Sequence, residues 1–225
     1  MAASGSKGSA DFAAARERMV ARDISGRGVR DERVLAAMRR VARDAFVPQS
    51  LREAAYDDMP LPIGGGQTIS QPYIVAFMIE ALQLNGGEKV LEIGTGSGYA
   101  AAVLAEIAGE VTTVERLRSL ADRAAEIFTQ LGYQHIRVLH GDGTLGWPEY
   151  APYDAIVVTA GGPQVPEALK QQLALGGRLV IPVGSGQDSQ DLVRVTRRSA
   201  TAFAVEEIGG VRFVPLIGQQ GWPTD

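Results

Sequence analysis

The sequence contains no cysteine, and its 225 residues include only two histidines, His135 and His140. Disulfide bonds, thiolate metal sites and thiol nucleophiles are therefore excluded, and a histidine-rich metal site is not expected. On these grounds we expect no bound metal. The lack of cysteine also fits a reducing compartment, so the cytoplasm is the expected location.

Long apolar runs and an excess of positive charge are also missing. No apolar stretch approaches the roughly 18 residues that a membrane-spanning helix needs. Residues 1–10 lack the apolar segment of a signal peptide and predict a flexible tail. The formal net charge of −4 provides no general attraction to nucleic acid or to an anionic membrane. We expect neither of these partners, and we take a monomer as the expected state.

Apolar residues at helical spacing predict helices in the N-terminal part of the chain. They occur over residues 11–23, after a cap at Asp31, and after Pro72, which suits the first turn of a helix. An irregular stretch between the last two helices leads into three consecutive glycines at 64–66. Residues 11–84 are therefore expected to form a helical extension that carries a glycine-rich loop.

Strands alternate with helices from residue 85 to residue 181, and strands alone follow. The first strands are predicted over 89–93, 110–114, 136–139, 154–158 and 178–181, with helices over 99–108, 117–131 and 165–173. The last strands are predicted over 192–196, 203–208 and 212–216. This pattern predicts an α/β fold with a doubly wound, mostly parallel sheet and an antiparallel C-terminal element. Residues 11–225 are expected to form one domain, with its ligand-binding core in residues 85–225.

The first predicted strand ends in a glycine-rich motif. Glu92 and Ile93 precede Gly94-x-Gly96-x-Gly98, at the position where open parallel sheets bind ligands. The dinucleotide fingerprint Gly-x-Gly-x-x-Gly has its third glycine one residue later and gives Glu92 no role. A dinucleotide-dependent dehydrogenase is thus disfavoured, while glycines kept only for packing remain an alternative.

Acidic residues follow the next two predicted strands. Glu115 comes about 20 residues after Gly94, where a carboxylate can accept hydrogen bonds from both hydroxyls of a ribose. The alternative is an exposed acid that begins a helix. After the third strand, Asp142 could accept from an exocyclic amine, and Gly143 leaves room for a flat base. The alternative there is a simple Asp-Gly turn.

These three motifs on successive strands resemble the class I S-adenosylmethionine-dependent methyltransferases, which have a Rossmann-like fold. The resemblance implies S-adenosylmethionine as cofactor. The predicted cofactor-binding residues are Gln67, Thr68, Glu92, Gly94, Thr95, Gly96, Gly98, Glu115, Arg116, Asp142 and Gly143.

One further segment indicates a single family within this class. It covers residues 64–73 and reads Gly-Gly-Gly-Gln-Thr-Ile-Ser-Gln-Pro-Tyr. Together with the motifs around residues 90–99, 141–148, 176–184 and 212–216, it resembles the protein-L-isoaspartate O-methyltransferases over residues 30 to 217. The resemblance implies methylation of the free α-carboxylate of isoaspartyl residues in damaged proteins, which starts repair through a succinimide. A methyltransferase for another carboxylate or a small molecule remains an alternative, as does a non-catalytic S-adenosylmethionine-binding domain.

The resemblance assigns the catalytic position to Ser70. We expect its hydroxyl to orient the acceptor carboxylate rather than to attack as a nucleophile, because no histidine or lysine lies near it in sequence. A serine two residues before Pro72 is also a typical helix N-cap, which is the structural alternative. The resemblance implies contacts with the substrate peptide at Ile69, Ser70, Phe213 and Val214, although the last two could equally belong to a core strand.

Overall fold

The computed structural model describes residues 9–186 and 189–223. Residues 1–8 of the predicted flexible tail lie outside this range, and the first helix begins at Ser9. The division into an extension over residues 11–84 and a core over residues 85–225 stays a prediction. Across the described ranges, no helix is both long and apolar enough to span a membrane.

The N-terminal extension is helical, as predicted. Its elements are α1 (Ser9–Arg18), a π-helical turn over Met19–Ile24, 3-10 turns over Ser25–Arg27, Arg43–Phe46 and Gln49–Ala54, α2 (Glu32–Arg40) and α3 (Pro72–Leu82). The chain leaves helical geometry at Gly28, which has a φ of 113°. The expected cap is present, because the Asp31 side chain accepts a hydrogen bond of 2.8 Å from the Arg33 amide.

A β-hairpin that the sequence analysis did not predict lies between the 3-10 turns and α3. It consists of β1 (Leu61–Gly64) and β2 (Gln67–Ile69), which pair antiparallel. Gly65 and Gly66 form its two-residue turn with φ values of 60° and 71°. A type I′ turn requires two positive φ values, which glycine adopts without steric cost. Residues 64–69 of the expected glycine-rich loop therefore belong to a hairpin, whose register shifts between Pro62 and Gly64.

Seven strands form the main sheet. They are β3 (Lys89–Ile93), β4 (Glu110–Glu115), β5 (Ile136–His140), β6 (Tyr153–Val158), β7 (Leu173–Val183), β8 (Gln190–Arg197) and β9 (Phe203–Val211). Their order is β5-β4-β3-β6-β7-β8-β9, in which the first five are parallel and β8 and β9 are added antiparallel. The predicted doubly wound, mostly parallel sheet with an antiparallel C-terminal element is confirmed.

Helices cover both faces of this sheet. They are α4 (Tyr99–Ala105), α5 (Arg118–Leu131) and α6 (Glu167–Gln171). Alternate residues of β3 point to opposite faces: Val90 packs in the cluster that includes α3, α4 and α5, whereas Leu91 and Ile93 pack in the cluster that includes Leu169 of α6. Strands buried on both faces need continuous apolar sequence, which explains the apolar runs at residues 155–158 of β6 and 179–181 of β7.

The strand predicted over residues 212–216 is wrong. β9 ends at Val211, and the chain then runs as an extended segment that bonds to the loop after β6. The Gly161 amide donates to the Val214 carbonyl, and the Leu216 amide donates to the Gly161 carbonyl, both at 2.8 Å. The apolar residues of this segment therefore cover the ends of the parallel strands instead of extending the sheet.

The helix predicted over residues 165–173 is too long. α6 ends at Gln171, and Leu173 already belongs to β7, where it pairs with Tyr153 of β6. Leu173 is fully buried in this strand. Apolar spacing over so short a stretch does not separate a buried helix from a buried strand.

Gly98 offers a test of packing at the start of α4. It has a φ of 89°, and a Cβ added there would lie 2.7 Å from Phe128 Cζ. We expect Gly98→Ala to lower the free energy of unfolding by about 2–4 kcal/mol, because left-handed strain and overpacking add. Equilibrium denaturation in urea measures the loss.

Gly132→Ala is the matched control, since Gly132 has a φ of 81° and nothing lies within 4 Å of an added Cβ. This variant should lose only the left-handed strain, about 1–2 kcal/mol. Equal losses in the two variants would contradict a steric role for Phe128.

Candidate active site

A cavity lies over the carboxyl ends of the central strands, where the strand order reverses between β3 and β6. Open parallel sheets bind ligands at such a reversal. Twelve of the predicted site residues line it: Gln67, Thr68, Ile69, Ser70, Glu92, Gly94, Thr95, Gly96, Glu115, Arg116, Gly143 and Val214. Gly98, Asp142 and Phe213 are not part of this lining. For Gly98 the structure gives a packing reason instead, its contact with Phe128, and its cofactor contact stays a prediction.

The turn after β3 requires glycine at its first position. Gly94 has a φ of 97°, and a Cβ there would lie 2.4 Å from Thr159 Oγ1. The Thr159 hydroxyl donates to the carbonyl of Gly94 at 2.7 Å and approaches the carbonyl of Ile93 at 3.1 Å. The end of β3 is thereby held against the residue that follows β6.

Glu115 ends β4 and forms part of the cavity wall. Its side chain accepts hydrogen bonds of 2.8 Å from the amides of Gly96 and Leu117, one on each oxygen. The alternative of an exposed acid is wrong, because Glu115 is only 6% exposed. Each carboxylate oxygen has a second lone pair, so the arrangement is compatible with ribose hydroxyls as donors, which stays a prediction.

Glu92 is fully buried at the base of the cavity. Its Oε2 accepts a hydrogen bond of 2.5 Å from Thr113, whose hydroxyl lies 2.6 Å from that of Thr95. Its Oε1 has no hydrogen-bond partner among the residues that the structure describes. A buried polar atom without a partner is costly, so this oxygen indicates a donor supplied by a ligand.

Burial dominates the titration of Glu92. Loss of hydration raises its pKa to about 8, the Thr113 hydrogen bond opposes this, and the charge of Glu115 adds to it. The carboxyl group therefore holds its proton at neutral pH in the protein without ligand.

Asp142 is engaged within the fold. Its Oδ1 accepts from the amide of Thr144 at 2.9 Å and from its hydroxyl at 2.6 Å, and its Oδ2 accepts from the amide of Gln219 at 2.8 Å. The Asp-Gly turn that we considered as the alternative is thus present, as a 3-10 turn over Gly143–Leu145. The contact of Asp142 with an exocyclic amine stays a prediction.

Gly143 is brought into the cavity wall by that turn. A Cβ at this position would lie 2.4 Å from Ile93 Cγ2, so no larger residue fits against the end of β3. This close approach gives a packing reason for glycine at the position. The room that Gly143 leaves for a flat base stays a prediction.

The β1–β2 hairpin covers the cavity. A Cβ added to Gly96 would lie 3.4 Å from Ile63 Cδ1 on the hairpin, and one added to Gly65 at its tip would lie 3.0 Å from Leu117 Cδ1. The hairpin therefore reaches from the glycine-rich loop to the residue just beyond Glu115. Thr68 follows on β2 and lines the cavity beneath it.

Ser70 lies between the hairpin and α3 and does not cap that helix. The cap position belongs to Gln71, and the first free amide of α3, that of Tyr73, donates to the Asp58 carboxylate at 2.9 Å. No described residue hydrogen-bonds the Ser70 hydroxyl. The N-cap alternative is therefore wrong, and the hydroxyl is available to a ligand.

A second concavity, which we call the acceptor groove, opens beside the cavity. It runs between the start of α3 and the end of β9, and Thr68, Ser70, Thr159, Val214 and Pro215 line both concavities. Its own walls include Arg27, Tyr73, Phe77, Gly209, Gly210 and Phe213. Phe213 and Val214 lie in the extended segment after β9, so they are not part of a core strand, and their contact with substrate stays a prediction.

Thr159 is a site residue that the sequence analysis missed. It follows β6, the fourth parallel strand in the chain, and reaches both concavities. A polar residue directly after a buried apolar strand is the signal that could have identified it, by the same reasoning that identified Glu115.

Comparison with known proteins decides the family. A family model described as protein-L-isoaspartate(D-aspartate) O-methyltransferase matches residues 14–221. The chain belongs to this family. The resemblance inferred from the motifs is confirmed, and with it the S-adenosylmethionine-dependent methyltransferase class.

Individual relatives cover almost the whole chain. It is 65% identical to protein-L-isoaspartate O-methyltransferase 1 of Rhodopseudomonas palustris (strain HaA2), over 100% of this chain and 94% of the relative. It is 61% identical to protein-L-isoaspartate O-methyltransferase 2 of Pelobacter propionicus (strain DSM 2379 / NBRC 103807 / OttBd1), over 92% of each.

Solved structures share the fold. A protein-L-isoaspartate O-methyltransferase superposes with a TM-score of 0.81 at 31% identity and covers 92% of this chain and 67% of its own. A Plasmodium falciparum structure of a protein described as the same enzyme, in complex with S-adenosyl-L-homocysteine, has a TM-score of 0.77 at 25% identity, over 90% of this chain and 98% of its own.

The residues of the cavity fit S-adenosylmethionine, the cofactor of this family. The unpartnered Oε1 of Glu92 can accept from an ammonium group, and the spare lone pairs of Glu115 can accept from ribose hydroxyls. Across residues 9–186 and 189–223, no group of three or more acidic or histidine side chains could hold a metal ion.

Glu92 should make stability depend on pH. Its pKa is about 8 in the folded protein against a reference of 4.5, so the folded state keeps a proton that the unfolded state releases. Stability is therefore lost as pH rises from 4.5 to 8, by at most about 1.4 kcal/mol per pH unit. Glu92→Gln should abolish this loss, so its stability relative to the wild type should rise between about pH 5 and pH 8 in denaturant titrations.

Glu53→Gln provides the control, because Glu53 is exposed. The stability of this variant should depend on pH in the same way as that of the wild type. A Glu92→Gln profile parallel to that of the wild type would show that the buried carboxyl does not hold its proton.

Proposed function

We infer that this chain transfers a methyl group from S-adenosylmethionine to the free α-carboxylate of isoaspartyl residues in damaged proteins, the activity for which its family is named. The observation that carries the inference is the position of Ser70. Its hydroxyl has no partner among the described residues and borders both the cofactor cavity and the acceptor groove. One hydroxyl can therefore bind an acceptor group that faces the donor.

The chemistry of the acceptor explains which side chains the site provides. When bound, S-adenosylmethionine supplies an activated methyl group together with its own leaving group. A carboxylate with a reference pKa near 4 is already ionised at neutral pH and needs no general base. Correspondingly, none of the described residues that line the cavity or the groove is a histidine or a lysine.

Positioning and exclusion of water are what the protein contributes. Glu92, Glu115 and the glycine-rich loop would hold the cofactor, and Ser70 would orient the carboxylate. Holding two reactants in a near-attack arrangement contributes on the order of 7–11 kcal/mol. The β1–β2 hairpin covers the cavity and so excludes water that would otherwise stabilise the acceptor anion.

We propose that the acceptor groove binds an extended peptide. The segment after β9 forms part of its wall, where the Phe213 amide and the Val214 carbonyl are already bonded within the fold. Pairing of a peptide with other backbone groups would not depend on the substrate's side chains. Once the α-carboxylate is a methyl ester, the nitrogen of the following residue attacks the ester carbonyl and methanol leaves. The resulting succinimide adds water at either carbonyl, which returns part of the material to normal aspartate.

We also propose that the protein is a monomer, which is the state expected from the sequence. Analytical ultracentrifugation tests this state. The cytoplasmic location stays a prediction from the sequence.

Substrate specificity tests the proposal directly. With S-adenosylmethionine labelled in its methyl group, we expect base-labile label in a peptide that contains one isoaspartyl linkage. A peptide of the same sequence with a normal aspartyl linkage should remain unlabelled, because its backbone carboxyl is already in an amide. Label in both peptides would favour a general carboxyl methyltransferase, and label in neither would favour a binding domain.

Ser70→Ala tests the role of the hydroxyl. Loss of a hydrogen bond to a charged acceptor should reduce the methylation rate roughly 10- to 100-fold. Binding of S-adenosyl-L-homocysteine, measured by calorimetry, should change less than about twofold, because the cofactor groups in this account are held by other residues. Methylation rates measured at saturating S-adenosylmethionine separate a loss of catalysis from a loss of cofactor binding.

Ser119→Ala is the matched control, since Ser119 is exposed and lines neither the cavity nor the groove. It should methylate at nearly the wild-type rate. A collapse of cofactor affinity in Ser70→Ala would place Ser70 in the cofactor site and contradict the proposed role.

A further inference from the structure

The carboxylate of Asp58 joins three segments of the chain beside Ser70. Its Oδ1 accepts from the Tyr73 amide at 2.9 Å. Its Oδ2 accepts from Gln71 Nε2 at 2.7 Å and from Arg27 Nη1 at 2.6 Å. The side chain is 14% exposed, so these contacts are largely shielded from water. Charge-assisted hydrogen bonds of this kind are shorter and stronger than neutral ones.

Two of these donors belong to the residues on either side of Pro72, in the segment that follows Ser70. The Gln71 side chain and the Tyr73 amide lie on either side of Pro72, which has no amide hydrogen to donate. Asp58 thus satisfies the first available amide of α3 from outside the helix, where the helix dipole also favours a negative charge. The segment that follows Ser70 is therefore held both by the Gln71 side chain and by the Tyr73 backbone amide.

Arg27 completes the cluster and offsets its charge. Its guanidinium stacks over the Tyr73 ring at 3.7 Å from the centroid while it pairs with Asp58. Tyr73 in turn stacks on Phe77, with the ring centroids 5.8 Å apart. The ion pair lets an acidic side chain lie next to a groove for an anionic acceptor without repelling that acceptor.

We propose that Asp58 is a positioning residue for Ser70: its carboxylate fixes the segment from Gln71 to Tyr73 so that the Ser70 hydroxyl is held, uncommitted, at the boundary of the cavity and the acceptor groove. The proposal rests on the function inferred above, because it assigns Ser70 to the acceptor carboxylate. Asp58 itself lines neither the cavity nor the groove, so it acts through Ser70 and not by contact with either ligand.

Asp58→Asn tests the proposal. The amide keeps the shape of the carboxylate but replaces one acceptor oxygen by a donor, so it loses the bonds from Arg27 and Gln71. We expect kcat on an isoaspartyl peptide to fall roughly tenfold, with binding of S-adenosyl-L-homocysteine within about twofold of the wild type. Asp57→Asn is the matched control, because it removes the same charge from an exposed neighbour, and it should behave as the wild type.

A double-mutant cycle separates positioning from a general loss of stability. In the Ser70→Ala background, Asp58→Asn should cost less than about twofold in kcat, because the group that it positions is already gone. A tenfold loss in both backgrounds would mean that Asp58 acts independently of Ser70, and so would overturn the proposal. Equal losses in Asp57→Asn and Asp58→Asn would assign the effect to charge alone and would also overturn it.

Hydrogen exchange provides a readout that does not depend on the reaction. In the complex with S-adenosyl-L-homocysteine, amides of residues 69–76 should exchange roughly tenfold faster in Asp58→Asn than in the wild type or in Asp57→Asn. Unchanged exchange would contradict the proposal even if the enzyme methylates isoaspartyl peptides. Conversely, a wild type that methylates no isoaspartyl peptide would refute the proposed function, while the exchange rates would still show whether Asp58 holds this segment.

Discussion

The junction between β3 and β6 is the constraint on which the site depends. The strand order reverses there, so the loops after these strands diverge and leave a crevice between them. Thr159 spans the junction, with its hydroxyl 2.7 Å from the Gly94 carbonyl. Because a Cβ on Gly94 would lie 2.4 Å from that hydroxyl oxygen, the bond and a side chain at Gly94 exclude each other. The hydrogen bond between Thr159 and the Gly94 carbonyl is therefore sufficient to require glycine at position 94. The absence of a side chain there also leaves space for a ligand.

Two buried carboxyl groups at this edge of the sheet differ in how many hydrogen bonds they accept from the rest of the protein. Glu115 receives the amides of Gly96 and Leu117, so the fold itself stabilises its position between the glycine-rich loop and α5. Glu92 receives one hydroxyl on one oxygen and nothing from the described residues on the other, and its pKa is raised to about 8. The first carboxylate is held by the fold itself, whereas the second keeps one oxygen for which we propose the cofactor as the donor.

The sequence predicts those features of the fold and the site that depend on residues close together in the chain. The central strands and the motifs at Gly94 and Glu115 were predictable, because unbroken apolar runs and strand-end residues are signals within a few positions. Asp58 was missed because its partner Tyr73 lies 15 residues away in sequence. Thr159 was missed although its position directly after a buried strand is a local signal. The hairpin was missed although its Gly-Gly turn is a local signal, since three consecutive glycines also predict an irregular loop. Residues 212–216 were assigned to a strand because their apolar side chains suit a sheet. The same side chains also suit a segment that covers the ends of the parallel strands.

The N-terminus of α3 shows how a distant residue changes the meaning of a local motif. A serine before a proline-started helix would ordinarily turn its oxygen toward the free amides of the first turn, and that oxygen would then be occupied. Here Asp58 accepts from the Tyr73 amide and from the Gln71 side chain, so the amide that Ser70 would otherwise bind is already satisfied. The hydroxyl has no partner within the described chain, and Ser70 lines both concavities. Capping and ligand binding compete for one oxygen, and the fold resolves the competition by supplying the cap from another segment.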